Sequence, residues 1–512
     1  MQNNVKELLQ LVSEHGYLGR LGKLFQTNSH YYFLDTGTGK VARIDKYTHD
    51  ILSCILESES PASSLQALPD TDEYNNAFNG LKNAIFKEHI LSAPVVETLT
   101  GDAVLYLDQI IKDGLQNVTL EVTEQCNLRC KYCIYQEDHT EYRKFGAKKM
   151  SWETAKAAID YLKDHSDYTE KPHVGFYGGE PLLNFEIIKR SVEYAKKVFD
   201  KELLFALTTN ATLVTDEIAE FFAANGMNLI ISLDGPKEMH DANRVFTDGS
   251  GSYEQARIGI EKLVCAYKKR HCTEKLGFNI VVSGPDYEKD YDIIQHFFDN
   301  ADWIPEDVLF TTSTVDRGPK DSSYVLPQSA EDLEYMRNAI EPNYEWEKNR
   351  RNLPKGKRGL IVDGAIDKGM LAIHKRLLLD KPAEKYGMNG CCVPGQRRIY
   401  VTADGRFLLC EKVGNIPAIG NVHTGLDAEL IRKVYVDDFI AEATQYCRNC
   451  WAINLCSLCY VNCYDENGPH FAFRHNSCMS ERKYIEENLI RYHTILESDP
   501  ESLEHYNSVE LE

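Results

Sequence analysis

Three cysteines within one short stretch, Cys126, Cys130 and Cys133, follow an apolar run and present a C-x3-C-x2-C spacing. Thiolates are the usual protein ligands of iron–sulfur clusters. Three of them on one loop suit a cubane that keeps a fourth iron open to a small molecule. Zinc is the alternative metal, but zinc loops more often join two C-x2-C pairs. Of the chain's 15 cysteines, nine lie between Cys391 and Cys478. There Cys392 precedes Gly405-Arg-Phe-Leu-Leu-Cys410. A dense group follows, Cys447-x2-Cys450-x5-Cys456-x2-Cys459-x3-Cys463, and then Cys478. One or two zinc ribbons are the other chemistry these pairs could serve. Cys54, Cys265 and Cys272 stand alone and are read as thiols without function.

Composition narrows the setting. The 512 residues carry 57 Lys+Arg against 78 Asp+Glu, a formal charge of −21, with 43% hydrophobic and 26% charged residues. That is ordinary globular material, long enough for two to four domains. The acidic balance argues against nucleic acid or an anionic membrane as a partner, since both need basic surface. The first residues, Met1-Gln-Asn-Asn-Val-Lys-Glu-Leu-Leu, lack a secretion signal's basic start and apolar core. No apolar run approaches the roughly 20 residues of a membrane span. A cytoplasmic location is expected, where clustered thiols point to metal rather than disulfides.

The elements that must position these groups form a βα series. Apolar or β-rich runs fall at 118–123, 173–177, 203–208, 229–233, 278–283 and 308–312, with amphipathic helical patterns between them at 152–162, 185–199 and 253–267. Repeated βα units predict a parallel sheet with right-handed crossovers. Six of them suit a partial barrel better than a closed eight-fold one. The first cysteine loop sits at the end of the first strand. Tyr177-Gly-Gly-Glu-Pro181 ends the second, Thr208-Thr-Asn210 the third and Ser232-Leu-Asp234 the fourth, and His240-Asp-Ala-Asn-Arg244 comes soon after. Strand C-termini are where such folds gather function. Glycines at 178 and 179 permit close backbone approach to a ligand. A carboxylate at Glu180 suits an ammonium group, and short polar side chains suit a ribose.

Before the barrel, 25–34 and 41–44 read as two strands around a turn at Asp35-Thr-Gly-Thr-Gly39. Asp45 caps a helix that buries Ile51, Leu52 and Ile55. A Ser/Pro/Asp-rich stretch over 57–72 leads to a second helix through Leu81, Ile85 and Phe86. The region 315–385 is charged, helical and broken by Pro319, Pro327, Pro342 and Pro354. It reads as a bridge to the cysteine-rich part that starts at Tyr386.

C-x3-C-x-aromatic-C after the first strand of a βα barrel, with the GGEP-type motif on the second, resembles the radical S-adenosylmethionine superfamily. The resemblance implies a four-iron cluster on Cys126, Cys130 and Cys133, whose open iron takes the amino and carboxylate groups of S-adenosylmethionine. It further implies that Gly178, Gly179 and Glu180 meet the methionyl amino group, and that Thr209, Asn210, Ser232 and Asp234 serve the ribose. Arg244 would fork onto the carboxylate, and Tyr132 would lie near the adenine. The later cysteines resemble the SPASM domain of peptide-modifying radical enzymes, which holds two auxiliary four-iron clusters. By that analogy Cys447, Cys450, Cys456 and Cys478 bind the outer cluster, and Cys392, Cys410 and Cys459 or Cys463 the inner one, with Cys391 a further possibility. Tyr460 occupies the family's usual fourth position in the middle group. Glu411, beside Cys410, matches a carboxylate that acts as a base in sulfatase-maturing relatives.

These likenesses give an α/β chain in four parts. Residues 1–105 form a winged-helix-like leader-peptide recognition element, 106–340 the partial (β/α)6 radical SAM barrel, 341–385 a bridge and 386–512 a SPASM domain. The segments Cys392-Val-Pro-Gly-Gln-Arg-Arg and Cys447-Arg-Asn-Cys-Trp451 look closest to maturases of Cys-rich peptides, which install thioether links of the sactipeptide or ranthipeptide kind. The expected partners are a Cys-containing precursor with a leader and an electron donor such as flavodoxin or ferredoxin. A side-chain dehydrogenase of the sulfatase-maturing type, a carbon–carbon crosslinking maturase and a non-catalytic cluster-carrying scaffold are the alternatives.

Overall fold

The computed structural model describes residues 2–12, 16–136, 143–283, 287–314, 361 and 363–509. At the N-terminus, strands β1 (Gly22–Gln26), β2 (Tyr31–Asp35) and β3 (Val41–Ile44) form one antiparallel sheet in that order. Two strands were expected here and three are present. The run 25–34 breaks because the Thr27 hydroxyl accepts from the amides of Ser29 (3.2 Å) and His30 (3.0 Å), closing a turn between β1 and β2. Such side-chain turn chemistry competes with strand continuation.

Helices Gln2–Val12, Lys46–Leu56, Pro61–Gln66 and Asp72–Glu88 cover one face of this sheet. Asp45 caps the second of them by accepting from Thr48 N, as its position predicts. The helix Pro61–Gln66 lies inside the Ser/Pro/Asp-rich stretch, and Phe86 is 82% exposed rather than on the buried face. The 3.6-residue stripe of the last helix runs through Phe78, Leu81 and Ile85 and leaves Phe86 just off it. Leu24 and Phe33 face these helices in a core of their own. Phe25 and Tyr32 point to the opposite face, as strand alternation requires, and join the main core.

There they stack on each other with ring centres 5.2 Å apart and meet His493 of the C-terminal helix Phe471–Ser498 at 5.1 and 4.9 Å. Burial, above all, holds the His493 pKa down to about 4. A base whose folded pKa is depressed contributes stability that is present above its unfolded value, ~6.5, and is lost as pH falls through the folded one. Over that window of roughly 2.5 units the loss is about 3 kcal/mol. Denaturation midpoints followed from pH 7 to 4 should therefore fall more steeply for the wild type than for His493→Gln. Parallel curves would refute this.

The barrel sheet is made of β5 (Asn117–Thr123), β6 (His173–Gly178), β7 (Leu204–Thr209), β8 (Asn228–Ser232), β9 (Leu276–Val282) and β10 (Leu309–Thr314), all parallel and in sequential order. All six expected strands are present. Helices Trp152–His165, Phe185–Val198, Asp216–Ala224, Tyr253–Lys268 and Tyr287–Asp299 supply the crossovers. Serine and threonine open two of them: Ser151 accepts from Thr154 N and Thr215 from Ile218 N. Val118, Leu120 and Val122 of β5 are fully buried in the main core, while Asn117, Thr119, Glu121 and Thr123 alternate onto the other face. A bulge between Glu121 and Thr123 shifts the pairing with β6 just before the cysteine loop. Bulges next to sites re-aim side chains in this way.

The cysteine-rich part does not stand apart from this sheet. A two-residue β4 (Leu99–Thr100) pairs β11 (Tyr386–Gly387). Strand β12 (Ile399–Val401) then lies parallel to β5 on the side away from β6, and β13 (Arg406–Leu408) returns antiparallel to it. With two further short strands the sheet reaches ten. Most of the proline-broken stretch 315–385 lies outside the described residues; a helix, Asp363–His374, packs against the C-terminal helix. Among the described residues no helix is long and apolar enough to cross a membrane.

Candidate active site

Every sequence-singled motif of the barrel arrives at one place. The loop after β5 is pinned along its length. Arg129 N donates to Val245 O (2.7 Å) and Lys131 N to Asn243 O (3.0 Å). Asn127 Nδ2 donates to Thr212 Oγ1 (2.8 Å), while Asn210 Nδ2 donates back to Asn127 Oδ1 (3.0 Å). The loop is thus stitched to the end of β7 and to the segment around Arg244.

The paired glycines explain how close this packing is. A Cβ on Gly178 would stand 2.2 Å from Thr123 O, and one on Gly179 would stand 2.1 Å from Gln125 O. Gly178 also takes φ +140°, which side chains disfavour. The close approach these glycines allow is first of all to the cysteine loop's own backbone. Glu180 is buried with its carboxylate occupied: Oε1 accepts from Leu182 N (3.1 Å) and Thr209 Oγ1 (2.7 Å), and Oε2 from Asn210 N (2.8 Å). Burial raises its pKa to about 7, and these donors pull the other way. It ties the end of β6 to that of β7.

Asp234 is a second buried node. It accepts from the Tyr132 hydroxyl, from Arg244 Nε (3.0 Å) and from Val281 N (3.0 Å). The Arg244 guanidinium lies 5.4 Å from the centre of the Tyr132 ring, and its charge works to lower the Cys130 thiol pKa against burial. Ser232 is buried at the end of β8. Glycines 178 and 179, Glu180, Thr209, Asn210, Ser232, Asp234, Arg244 and Tyr132 thus collect around the three-cysteine loop.

Burial acts on all three thiols. Burial raises the Cys126 thiol to about 12 and the Cys133 thiol to about 11; it also raises Cys130, against the opposing charge of Arg244. Three thiols so disfavoured as anions become ligands when metal replaces their protons. Among the described residues no three His, Cys, Asp or Glu side chains converge on a single ion. A cubane instead spreads its thiolates over separate corners.

Of the later cysteines, Cys410 is the one tied to this centre, through Arg143, which donates to Tyr135 and to the carbonyl of Glu411. Cys410 lies within electrostatic reach of Cys459, and Arg398 within reach of both Cys410 and Cys392. Cys463 is fully buried and shares the surroundings of Tyr460 and Tyr464 with Cys391. Cys450 N donates to Cys447 O, turning that pair, and Cys478 stands on the C-terminal helix. Cys456 is half-buried. Glu411 pairs its carboxylate with Arg398 and gives its carbonyl to Arg143 Nη2 (3.2 Å). Sequence reasoning passed over Glu121, Arg143, Arg398 and Tyr400. Glu121 had a signal, a lone charge inside a fully buried strand, which demands a partner. Arg143 had none.

Comparison with known proteins bears on the fold. Residues 120–290 match the family model of the Radical SAM superfamily. A cysteine-type anaerobic sulfatase-maturating enzyme of Clostridium novyi is 25% identical over 382 residues, 72% of this chain and 93% of that one. The radical SAM cyclopropyl synthase TigE of Paramaledivibacter caminithermalis is 27% identical over 186 residues, 34% of this chain and 37% of its own. The solved structure of native anSMEcpe with bound AdoMet superposes with a TM-score of 0.52 at 22% identity, covering 75% of this chain and 100% of that one, a likeness of fold. With its three-cysteine loop, buried polar nodes and parallel sheet, this chain is an enzyme built on a radical SAM domain.

Proposed function

We propose that the chain installs thioether links in a Cys-containing precursor peptide, joining a precursor sulfur to a carbon of an acceptor residue. The observation that carries this is the pairing of β12 onto β5, which sets a second thiol-rich region beside the three-cysteine loop. A crosslinking enzyme needs two such centres, one to open a C–H bond and one to manage sulfur and an electron. Once bound, a four-iron cluster with S-adenosylmethionine supplies a 5′-deoxyadenosyl radical that removes a hydrogen atom from carbon. In the net reaction a C–H and an S–H bond break and a C–S bond forms. One hydrogen leaves as an atom, the thiol hydrogen as a proton, and one electron remains for an auxiliary centre.

Cys126, Cys130 and Cys133 hold the catalytic cluster in this reading. Gly178, Gly179, Glu180, Thr209, Asn210, Ser232, Asp234, Arg244 and Tyr132 shape the S-adenosylmethionine pocket. Cys447, Cys450, Cys456 and Cys478 take the outer auxiliary cluster. Cys392, Cys410 and Cys459 take the inner one, a choice over Cys463 favoured by the neighbourhood of Cys410 and Cys459. Glu411 accepts the proton. The leader adds as a strand to β3, whose outer side pairs with no strand among the described residues. A low-potential carrier such as flavodoxin or ferredoxin supplies electrons in a reducing cytoplasm.

The test is a reduced, cluster-reconstituted assay with the Cys-containing peptide encoded beside the gene. The expected product has lost two hydrogens per link, and its linked thiol no longer alkylates. A peptide oxidised at one side chain with no C–S link in its tandem mass spectrum would instead favour the second reading, side-chain dehydrogenation, which the sulfatase-maturating relatives support. An unmodified peptide would refute both.

A further inference from the structure

The first barrel strand and the hairpin that delivers Cys410 share one buried carboxylate. Glu121 accepts from Arg143 Nη1 (2.5 Å), from the Tyr400 hydroxyl (3.0 Å) and from Ala403 N (3.0 Å). Tyr400 lies on β12 and Ala403 follows it, so two of the three donors belong to the hairpin. Arg143 closes the join. Its Nη2 donates to the Tyr135 hydroxyl (3.0 Å) and to the carbonyl of Glu411 (3.2 Å), and its guanidinium stands 4.5 Å from the centre of the Tyr400 ring. Tyr135 is two residues beyond Cys133, and Glu411 is next to Cys410. One guanidinium therefore touches the neighbours of a cysteine from each region. Glu121 and Arg143 are 7% and 11% exposed at their side chains.

A buried ion pair is a poor way to gain stability, since well-packed apolar residues serve as well or better. What it supplies is direction. Five donor–acceptor contacts at fixed angles specify one placement of the hairpin on β5, which an apolar contact would not. The bulge between Glu121 and Thr123 adds to this by aiming the carboxylate just ahead of the cysteine loop.

We propose that Glu121 and Arg143 are positioning residues that register the Cys410–Glu411 segment against the Cys126–Cys133 loop, so that the two centres meet one substrate at a fixed separation. This rests on the reading of Cys410 as an auxiliary-cluster ligand. Loss of the register leaves the barrel able to cleave S-adenosylmethionine while the peptide is no longer held where the second centre can act on it.

The variants are Arg143→Lys, which keeps charge and loses the fork, and Glu121→Gln. Each is compared with the wild type by electron paramagnetic resonance of the reduced clusters and by the ratio of 5′-deoxyadenosine formed to peptide modified. The expected result is a ratio raised about tenfold or more, since small misplacements of reacting groups are costly. The auxiliary-cluster signal should change while the catalytic-cluster signal with S-adenosylmethionine keeps its form. Tyr267→Phe, which deletes a buried hydroxyl donating to Met227 O elsewhere in the barrel, controls for destabilisation and should leave ratio and signals unchanged. Unchanged ratio and signals in both test variants overturn the proposal. If neither variant folds, Tyr400→Phe decides: it removes one donor to Glu121 and keeps the ring, and it should uncouple in the same direction by about two- to threefold. No change there overturns the proposal equally. If the wild type modifies no peptide, the crosslinking reading fails, and the spectra alone still decide whether these residues set the register.

Discussion

Replacing Cys126, Cys130 and Cys133 together by alanine is expected to abolish 5′-deoxyadenosine formation and to lower the iron content by about four of about twelve atoms. The argument rests on placement. The three thiols stand on one loop that is bonded to the ends of β7 and to the 243–246 segment. Their burial makes the free thiolates costly, so protons are displaced only for a metal that binds them. The pinning also means the loop backbone survives the loss of three small side chains. Circular dichroism and the visible absorption of the remaining clusters should therefore persist. Retained 5′-deoxyadenosine formation would refute the assignment of this loop. Loss of all iron would show instead that the regions assemble only together.

The second large effect comes from glycine. Gly179→Ala would drive a Cβ to 2.1 Å from Gln125 O and 2.9 Å from Cys126 N, both backbone atoms. Real Cβ contacts do not approach so closely, so the end of β6 or the cysteine loop must move by roughly an ångström. Displacing a reacting group that far costs about 100-fold in rate, and the strain lowers stability by about 2–4 kcal/mol. We expect loss of S-adenosylmethionine cleavage and a lowered melting temperature together. Gly80→Ala is the counterpart. Nothing lies within 4 Å of its Cβ, and it stands inside the helix Asp72–Glu88. There alanine should stabilise by about 0.5–1 kcal/mol, through helix propensity and the unfolded chain. If both substitutions act alike, crowding at Gly179 is not what shapes the site.

Much of this site is legible in the sequence, because its chemistry is written in local spacing. C-x3-C-x2-C, Gly178-Gly179-Glu180 and Asp234 each fall at a strand end, and strand ends are readable from apolar runs. The roles within the site were less so. Glu180 and Arg244 read as ligand-facing groups, yet Glu180 has its carboxylate filled by Leu182, Thr209 and Asn210, and Arg244 is held on Asp234. Hydrogen-bond partners distant in sequence leave no periodicity behind them. The turn at Thr27 is local instead, one hydroxyl outweighing a run of strand formers, and Phe86 stands one residue off its helix's buried stripe.

By itself the sequence determined the six parallel strands, the helices between them and the cysteine groups that go with them. These depend on alternation, amphipathic period and residues a few positions apart, which a chain records locally. Only the tertiary structure decided how the two thiol-rich regions meet. Strand β12 lies some 280 residues from β5 in the chain, yet the two are paired, and Glu121 binds Tyr400 and Ala403 across that gap. A contact of that span is specified by the need of one buried carboxylate for its donors, which one placement of the hairpin meets. No feature of either segment alone announces the other.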